Sequence, residues 1–331
     1  MVAIIIVNWN GYEDTLECLD SLHKCVDTDF FIVLCDNGST NDSVEKITHH
    51  CKDKWPFTSL DETSIKPNIN IQNGHVILYK LGENNGFSRG NNLGIHFASL
   101  FNPDYYLLLN NDTVVEPDFL SVLINYQQSH QNEKVLTPLI HYFYDKTLIW
   151  NGGGNIYWGF RKYHFANEHE SVVPDRESIP CTFITGCALL FVPEILDEDH
   201  NLLSERFFFG EEDIEFGLRM KKNNVQMACV LKSVIYHKVG GSRKSESKKI
   251  GHTYIHYLNR LINVRNYMPS WQYPFFKMAL FTDIARILKK RNGMGMRGIV
   301  SFIRRLNQDS KKMDGVSKEF FLKTVNAELK G

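Results

Sequence analysis

Through residues 1–129, short aliphatic runs alternate with stretches whose apolar positions recur at helical spacing. VAIIIV (2–7), FFIVLC (30–35), HVILYKL (75–81) and YYLLL (105–109) read as strands. Between them, Leu16, Leu19 and Leu22 mark one helix, and further helices are expected over 42–50 and 88–101. Pro117 suits the first turn of another helix that runs to about residue 129. Strands apolar on both faces and separated by helices predict a buried, largely parallel sheet. Residues 52–73 are polar and irregular and predict a surface insertion.

The pattern changes after residue 140. Gly-punctuated aromatic stretches over 140–192 predict hairpins and mixed strands. A helix over Glu211–Lys222 and strands near 226–237 follow, and the last ninety residues read as basic, aromatic helices. The 331-residue chain has a net charge of only −1, but the charge is unevenly placed. From Lys238 to Gly331 there are 20 Lys+Arg against 6 Asp+Glu, a net of +14, and residues 1–237 carry 17 against 32, a net of −15. An acidic body with a basic C-terminal region implies an anionic partner, either membrane surface or nucleic acid.

Composition excludes several classes. An aromatic content of 12% excludes disorder, and no apolar run approaches the ~20 residues that cross a bilayer. Met1–Val7 has no basic stretch before it and reads as a strand, not a signal peptide. Seven cysteines without a CxxC pair predict reduced thiols in a cytoplasmic protein, neither a disulfide framework nor a zinc site.

In an open α/β sheet the ligand site lies beyond the carboxyl ends of the strands. Four polar clusters fall there: Asn8–Gly11, Asp36–Asp42, Asn84–Asn92 and Asn110–Asp112. Four successive clusters of Asn, Asp and Gly suit a ligand rich in hydroxyls, such as a sugar nucleotide. The Asp36 carboxylate can read an imide N–H or ribose hydroxyls, or it can close an Asx-turn over Gly38. Asp112, at the mouth of a buried strand, is a candidate ligand for a hard divalent cation, although Asn-Asp-Thr also makes a good turn. Glu211-Glu212-Asp213 opens a helix, where its charge favours the dipole; crowded carboxylates also raise each other's pKa and suit one of them to general-base work. Glu215 and Arg219 read as a structural i,i+4 pair. His237 ends a strand before Gly240-Gly241-Ser242, either as a structural side chain or as a partner to Asp112 at a metal.

Taken in order, these segments resemble the family 2 inverting glycosyltransferases of GT-A fold, especially bacterial rhamnosyl- and galactofuranosyl-type polysaccharide transferases. The segments are IIIVNWNGYEDTLECLDSL (4–22), VLCDNGSTND (33–42), ENNGFSRGNNLGI (83–95), YYLLLNNDTVVEPDFL (105–120), TGCALLF (185–191), GEEDIEFGLRMKKNN (210–224) and VIYHKVGGS (234–242). The resemblance implies an α/β GT-A catalytic domain over 1–242 and a basic helical extension over 243–331. It implies that Asp36 contacts the donor base and that Asn8, Asn10, Asn84, Arg89, Asn91, Asn92 and Asn111 line the nucleotide pocket. It places Asp112 and His237 at Mn²⁺ or Mg²⁺, makes Asp213 the catalytic base, and puts Trp150, Gly186 and Glu212 near donor or acceptor. Asn110 stands where the family's metal motif has its first Asp, which removes one carboxylate from that site.

The implied reaction moves a sugar from a UDP- or dTDP-sugar to a glycan hydroxyl in O-antigen, capsular or other surface polysaccharide assembly. The implied acceptor is carried on polyprenyl diphosphate, and nucleic acid has no part. Trp150 and Trp158, around Gly152-Gly153-Gly154, are a candidate sugar platform, or simply hairpin packing. Arg286, Lys289, Lys290, Arg291, Arg297, Arg304 and Arg305 interleave with Phe281, Ile284, Ile287, Leu288, Ile299, Phe302 and Ile303. That pattern suits helices on an anionic membrane at the cytoplasmic face, or a solvated or dimer-forming face. A nucleotidyltransferase would need an N-terminal Gly-rich loop with Arg and Lys, and a dinucleotide oxidoreductase would need GxGxxG; VNWNGYEDT supplies neither. A noncatalytic glycan- or nucleic-acid-binding protein would leave Asp112, Asp213 and His237 without a purpose.

Overall fold

The structure, a computed structural model, describes residues 1–25, 27–63, 69–239 and 250–326. The first half alternates as expected: β1 (Val2–Asn8), α1 (Tyr12–Leu22), β2 (Phe30–Asn37), α2 (Ser43–Cys51), β3 (Phe57–Asp61), β4 (His75–Leu81), α3 (Gly86–Ser99) and β5 (Tyr105–Leu109). There follow β6 (Thr113–Val115), α4 (Phe119–Ser129), β7 (Glu133–Tyr142), β8 (Ile149–Asn151), β9 (Gly154–Tyr157), β10 (Phe160–Tyr163), β11 (Ser178–Cys181), β12 (Ala188–Phe191), α5 (Glu212–Lys222) and β13 (Gln226–His237). The chain closes with α6 (Ile250–Tyr267), α7 (Tyr273–Asn292), α8 (Met296–Lys312) and α9 (Lys318–Asn326).

The central sheet runs β11-β13-β7-β12-β5-β1-β2-β4-β3, with β6 on β13 and β8 on β7. Strands β5, β1, β2, β4 and β3 are mutually parallel. β12 runs antiparallel to both β5 and β7. One expectation is corrected here: the stretch 52–73 is not wholly irregular, because β3 extends the sheet beside β4. An edge strand has one neighbour and exposed faces, so FTSLD needs no continuous apolar run.

Successive side chains of the buried strands face opposite ways, which builds a core on each side of the sheet. Val2, Ile4 and Ile6 pack with Leu19, Leu22, Ile47 and Phe119 from α1, α2 and α4. Ala3 and Ile5 pack with Ile95, Ala98, Phe216 and Met220 from α3 and α5. All seven cysteines are free thiols; burial pushes Cys18 up to about 12 and Cys187 well above the ordinary thiol value.

The expected boundary between 242 and 243 lies outside the described residues. The helices beyond it share a core with the body: Phe207 packs with Tyr254, Leu258, Ile284, Leu288, Ile299 and Phe302. A backbone bridge joins Phe207 to Val316, and Val316 donates its N–H to the Arg206 carbonyl. Ile284, Leu288, Ile299 and Phe302, which the sequence pattern offered for a membrane-facing, solvated or dimer-forming face, are thus buried inside the protein. No helix among the described residues is long and apolar enough to cross a membrane.

Candidate active site

The parallel strands end along one edge, and their register sets the first polar group there. Asn8 lies opposite Asp36 across β1 and β2. The Asn8 amide donates to Asp36 Oδ1 at 2.8 Å and to Ser39 Oγ at 3.2 Å, while its own oxygen accepts from Thr15 Oγ1. Asp36 also accepts from the Ser39 hydroxyl at 2.6 Å and, through Oδ2, from the Ser39 N–H. It therefore closes the Asx-turn over Gly38, whose φ of +70° suits glycine. Among the described residues Oδ2 accepts only the Ser39 amide, so it keeps capacity for a further donor.

Asn10 holds the neighbouring turn by accepting from Thr40 N–H. Asn37 accepts from Asn85 N–H and donates to the Gly86 carbonyl, and Asn84 accepts from Gly86 N–H, so the 84–86 loop is tied to the end of β2. Asn111 reaches back from β5, donating to the Gly11 carbonyl and to Thr15 Oγ1. Arg89 is exposed at the start of α3. Asn91 and Asn92 serve the scaffold. Asn91 donates to the Phe87 carbonyl, and the fully buried Asn92 accepts from Leu202 and Leu203 N–H while donating to the Leu203 carbonyl. These bonds occupy the Asn92 side chain, so the structure does not bring it to the strand ends with Asn8 and Asp36.

A second group forms where β13 ends. His237 pairs in register with Thr113 of β6, which sets it beside Asp112. His237 Nε2 and Asp112 Oδ1 are 3.1 Å apart. Yet Asp112 Oδ1 is buried without a hydrogen-bond partner, as is His237 Nδ1, so the pair converges without hydrogen-bond alignment. Trp150 of β8 packs edge to face on the His237 ring, with centroids 4.4 Å apart. Trp158 instead meets Trp271, so the two tryptophans do not make one platform. Lys238, bonded to Asp14 and Glu17 at 2.6 Å each, fastens the end of β13 to α1. The turn expected at Gly240-Gly241-Ser242 lies outside the described residues.

The third group is the start of α5. Asp213 Oδ1 accepts the Gly186 N–H at 3.0 Å, and the next residue, Cys187, accepts the Asn110 N–H at 2.8 Å. The Gly186-Cys187 dipeptide thereby links the helix carrying Asp213 to the strand end carrying Asp112. A Cβ on Gly186 would lie 3.0 Å from Asp213 Oδ1 and from the Phe87 ring. Glu212 is buried with Oε2 unpartnered; burial and then the adjacent Asp213 charge raise its carboxyl to about 8. Glu215 bonds Arg219 as expected, and also lies near Arg206 and accepts from the Tyr267 hydroxyl.

Glu211 has a left-handed backbone at φ +67°, a strained position for a residue with a side chain. Burial alone would raise its carboxyl, but Arg260, His256 and Arg161 together hold it well below the usual carboxylate range. Asn263 donates to the Glu211 carbonyl, and Asn259 donates to those of Phe209 and Gly210. Four side chains of α6 thus set the turn that aims α5. Arg161, His256, Arg260 and Lys238 were not singled out for this site from the sequence, and nothing in their local pattern marks them.

The strand order, the polar carboxyl edge and the carboxylate-led helix define a GT-A glycosyltransferase fold. Residues 3–185, more than half of the chain, match the Glycosyl transferase family 2 model, so the chain belongs to that family and is a nucleotide-sugar glycosyltransferase. It is similar to residues 1–349 of S. aureus TarS, at 12% identity over 98% of this chain and 81% of that one, with a TM-score of 0.55. It is also similar to the mannosyltransferase PcManGT from Pyrobaculum calidifontis, solved with GDP-Man and Mn²⁺, at 11% identity over 98% and 82%, with a TM-score of 0.58. GalNAc-T7, solved with UDP, GalNAc and Mn²⁺, aligns at 15% identity over 98% of this chain and 56% of that one, with a TM-score of 0.57. No curated protein matches the sequence.

Proposed function

We propose that this chain transfers a sugar, with inversion, from a UDP- or dTDP-sugar to a glycan hydroxyl during surface polysaccharide assembly, the acceptor being carried on polyprenyl diphosphate at a membrane surface. The observation that carries the reading is the Gly186-Cys187 link, which ties the Asp213 carboxylate to the strand end that carries Asp112 through two hydrogen bonds. Solved relatives in complex with GDP-Man and with UDP-GlcNAc support a nucleoside-diphosphate donor.

Asp36, with Asn8 beneath it, presents an acceptor oxygen suited to the imide N–H of uracil or thymine. The unpartnered Asp112 oxygen and the convergent His237 nitrogen fit Mn²⁺ or Mg²⁺, which take one or two protein ligands and complete their shell with diphosphate and water. Among the described residues no three His, Cys, Asp or Glu side chains gather into a full metal cage. When bound there, a divalent cation offsets charge developing on the leaving diphosphate. Asp213, half-buried and steadied by Gly186 N–H, takes the proton of the attacking hydroxyl as general base. A single in-line displacement inverts the anomeric carbon. The basic helical extension forms the acceptor side of the site, because α6 sets the turn before Asp213.

Titration calorimetry of UDP, dTDP and GDP, each with Mn²⁺ and with EDTA, tests the reading. Metal-dependent binding of a uracil or thymine diphosphate is expected; preference for GDP, or no binding by the folded protein, overturns the donor assignment.

A further inference from the structure

The tip of the β9–β10 hairpin rests on the start of α7. The Phe160 and Phe276 rings lie 5.1 Å apart, and Trp158 meets Trp271 edge to face at 5.9 Å. Outward from this contact, Trp158, Trp271, Phe275 and Met278 remain 53, 62, 57 and 65% exposed, and Tyr157 is exposed beside them. Phe275, Met278 and Thr282 share one face of α7, and Trp271 sits just before its first turn. So large an apolar group left in water marks an interaction surface.

The same helical hairpin carries exposed positive charge. Arg286, Lys289 and Lys290 lie along α7, and Arg297 and Arg304 flank exposed Met296 and Val300 on α8. The single acidic residue of each helix is engaged: Asp283 lies 3.9 Å from Arg286, and Asp309 is held by Tyr254 and Arg305. We infer that this face docks on an anionic lipid surface, with Trp158, Trp271, Phe275 and Met278 entering the headgroup boundary and the basic side chains meeting lipid phosphates. A second copy seated symmetrically on the face would set its positive charges against each other.

The basic residues of this face are among those the sequence pattern named, whereas its exposed apolar residues are not, and only the hairpin contact brings the latter together. The same hairpin carries Arg161, which bonds Glu211 two positions before Asp213, so docking would place the base close to a lipid-linked acceptor. The purpose of the face therefore rests on the proposed function, whereas the binding itself can be measured apart from it.

The test is co-sedimentation of the full chain with vesicles of phosphatidylcholine alone or mixed with phosphatidylglycerol, at low and high salt, with tryptophan emission followed in parallel. Binding to the mixed vesicles with a blue shift is expected. Trp271→Ser/Phe275→Ser/Met278→Ser should lose the binding while keeping the circular dichroism of the parent. Lys289→Gln/Lys290→Gln/Arg297→Gln should weaken low-salt binding on the order of a hundredfold, at about fivefold per basic residue. Parent protein that stays in the supernatant overturns the inference, as do triple variants that bind like the parent. Self-association abolished by the same variants, without lipid binding, would assign the face to a second copy instead. Diphosphate binding without lipid separates the readings: vesicle binding without nucleotide binding would sink the proposed function and leave the docking face standing.

Discussion

Asp112 Oδ1 and His237 Nε2 approach to 3.1 Å across the β6–β13 pairing, but neither satisfies the other with a hydrogen bond. A buried carboxylate oxygen without a donor costs about 1–3 kcal/mol or more, so its retention points to a ligand that completes it. Asp112→Asn should remove the Mn²⁺-dependent increment of nucleoside-diphosphate binding, and His237→Ala should weaken it at least tenfold. Calorimetry with and without EDTA reads both changes, and metal response persisting in Asp112→Asn would assign the cation elsewhere.

Asp213→Asn should abolish transfer, a loss of about 10²–10⁴ in kcat, while diphosphate binding stays close to that of the parent. The amide keeps the acceptor oxygen for Gly186 N–H but cannot take a proton at neutral pH. Equal loss of binding and turnover would make Asp213 a structural residue.

Gly186→Ala probes the link itself. The added methyl would press on Asp213 Oδ1 and the Phe87 ring, displacing the carboxylate by a few tenths of an ångström. The expected loss is in kcat, up to about 10²-fold for displacements approaching 1 Å, with little change in diphosphate binding. Unchanged kcat would show that the Asp213 position tolerates this shift.

Glu212 gives a pH signature. Its folded-state carboxyl is raised to about 8, first by burial and then by Asp213, against an unfolded value of about 4.3. The folded chain therefore holds a proton that the unfolded chain releases. The stability this contributes is full below the unfolded value and is lost as pH rises through about 8. Glu212→Gln should flatten the fall in melting temperature between about pH 5 and pH 8; an unchanged slope would place the titration on another group.

Glu211 carries the opposite sign. Arg260, His256 and Arg161 outweigh its burial and hold it below the carboxylate range, so its contribution is present above the unfolded value of about 4.3. It is lost as pH falls through the lower folded value. Glu211→Gln leaves Arg260 buried without its partner and should destabilise the chain by about 3–5 kcal/mol in denaturant melts. It should also remove part of the acid sensitivity and lower kcat, because the α5 turn is no longer held. A variant as stable as the parent would show that the cluster contributes no net stability.

The sequence by itself determined the alternation of strands and helices in the first half of the chain and the polar edge beyond those strands, because strand and helix periodicities are local properties of the chain. Asp36-Asn37-Gly38 was legible as a turn because the need for φ > 0 is written in the dipeptide. The edge strand Phe57–Asp61 was not, since a half-exposed strand lacks a continuous apolar run. Asn92 looked like a pocket residue because an amide in the early turns of a helix that follows a strand carries no mark of which backbone it will bond. Residues 27 to 125 positions apart had to meet before Gly186 could reach Asp213, Asp112 could reach His237, or Arg161 and Arg260 could reach Glu211. Those meetings depend on strand register and on α6 packing against the body, which are cooperative outcomes of burying the whole core. For the same reason only the tertiary structure decided which apolar residues of the C-terminal helices are spent inside and which are left for a partner.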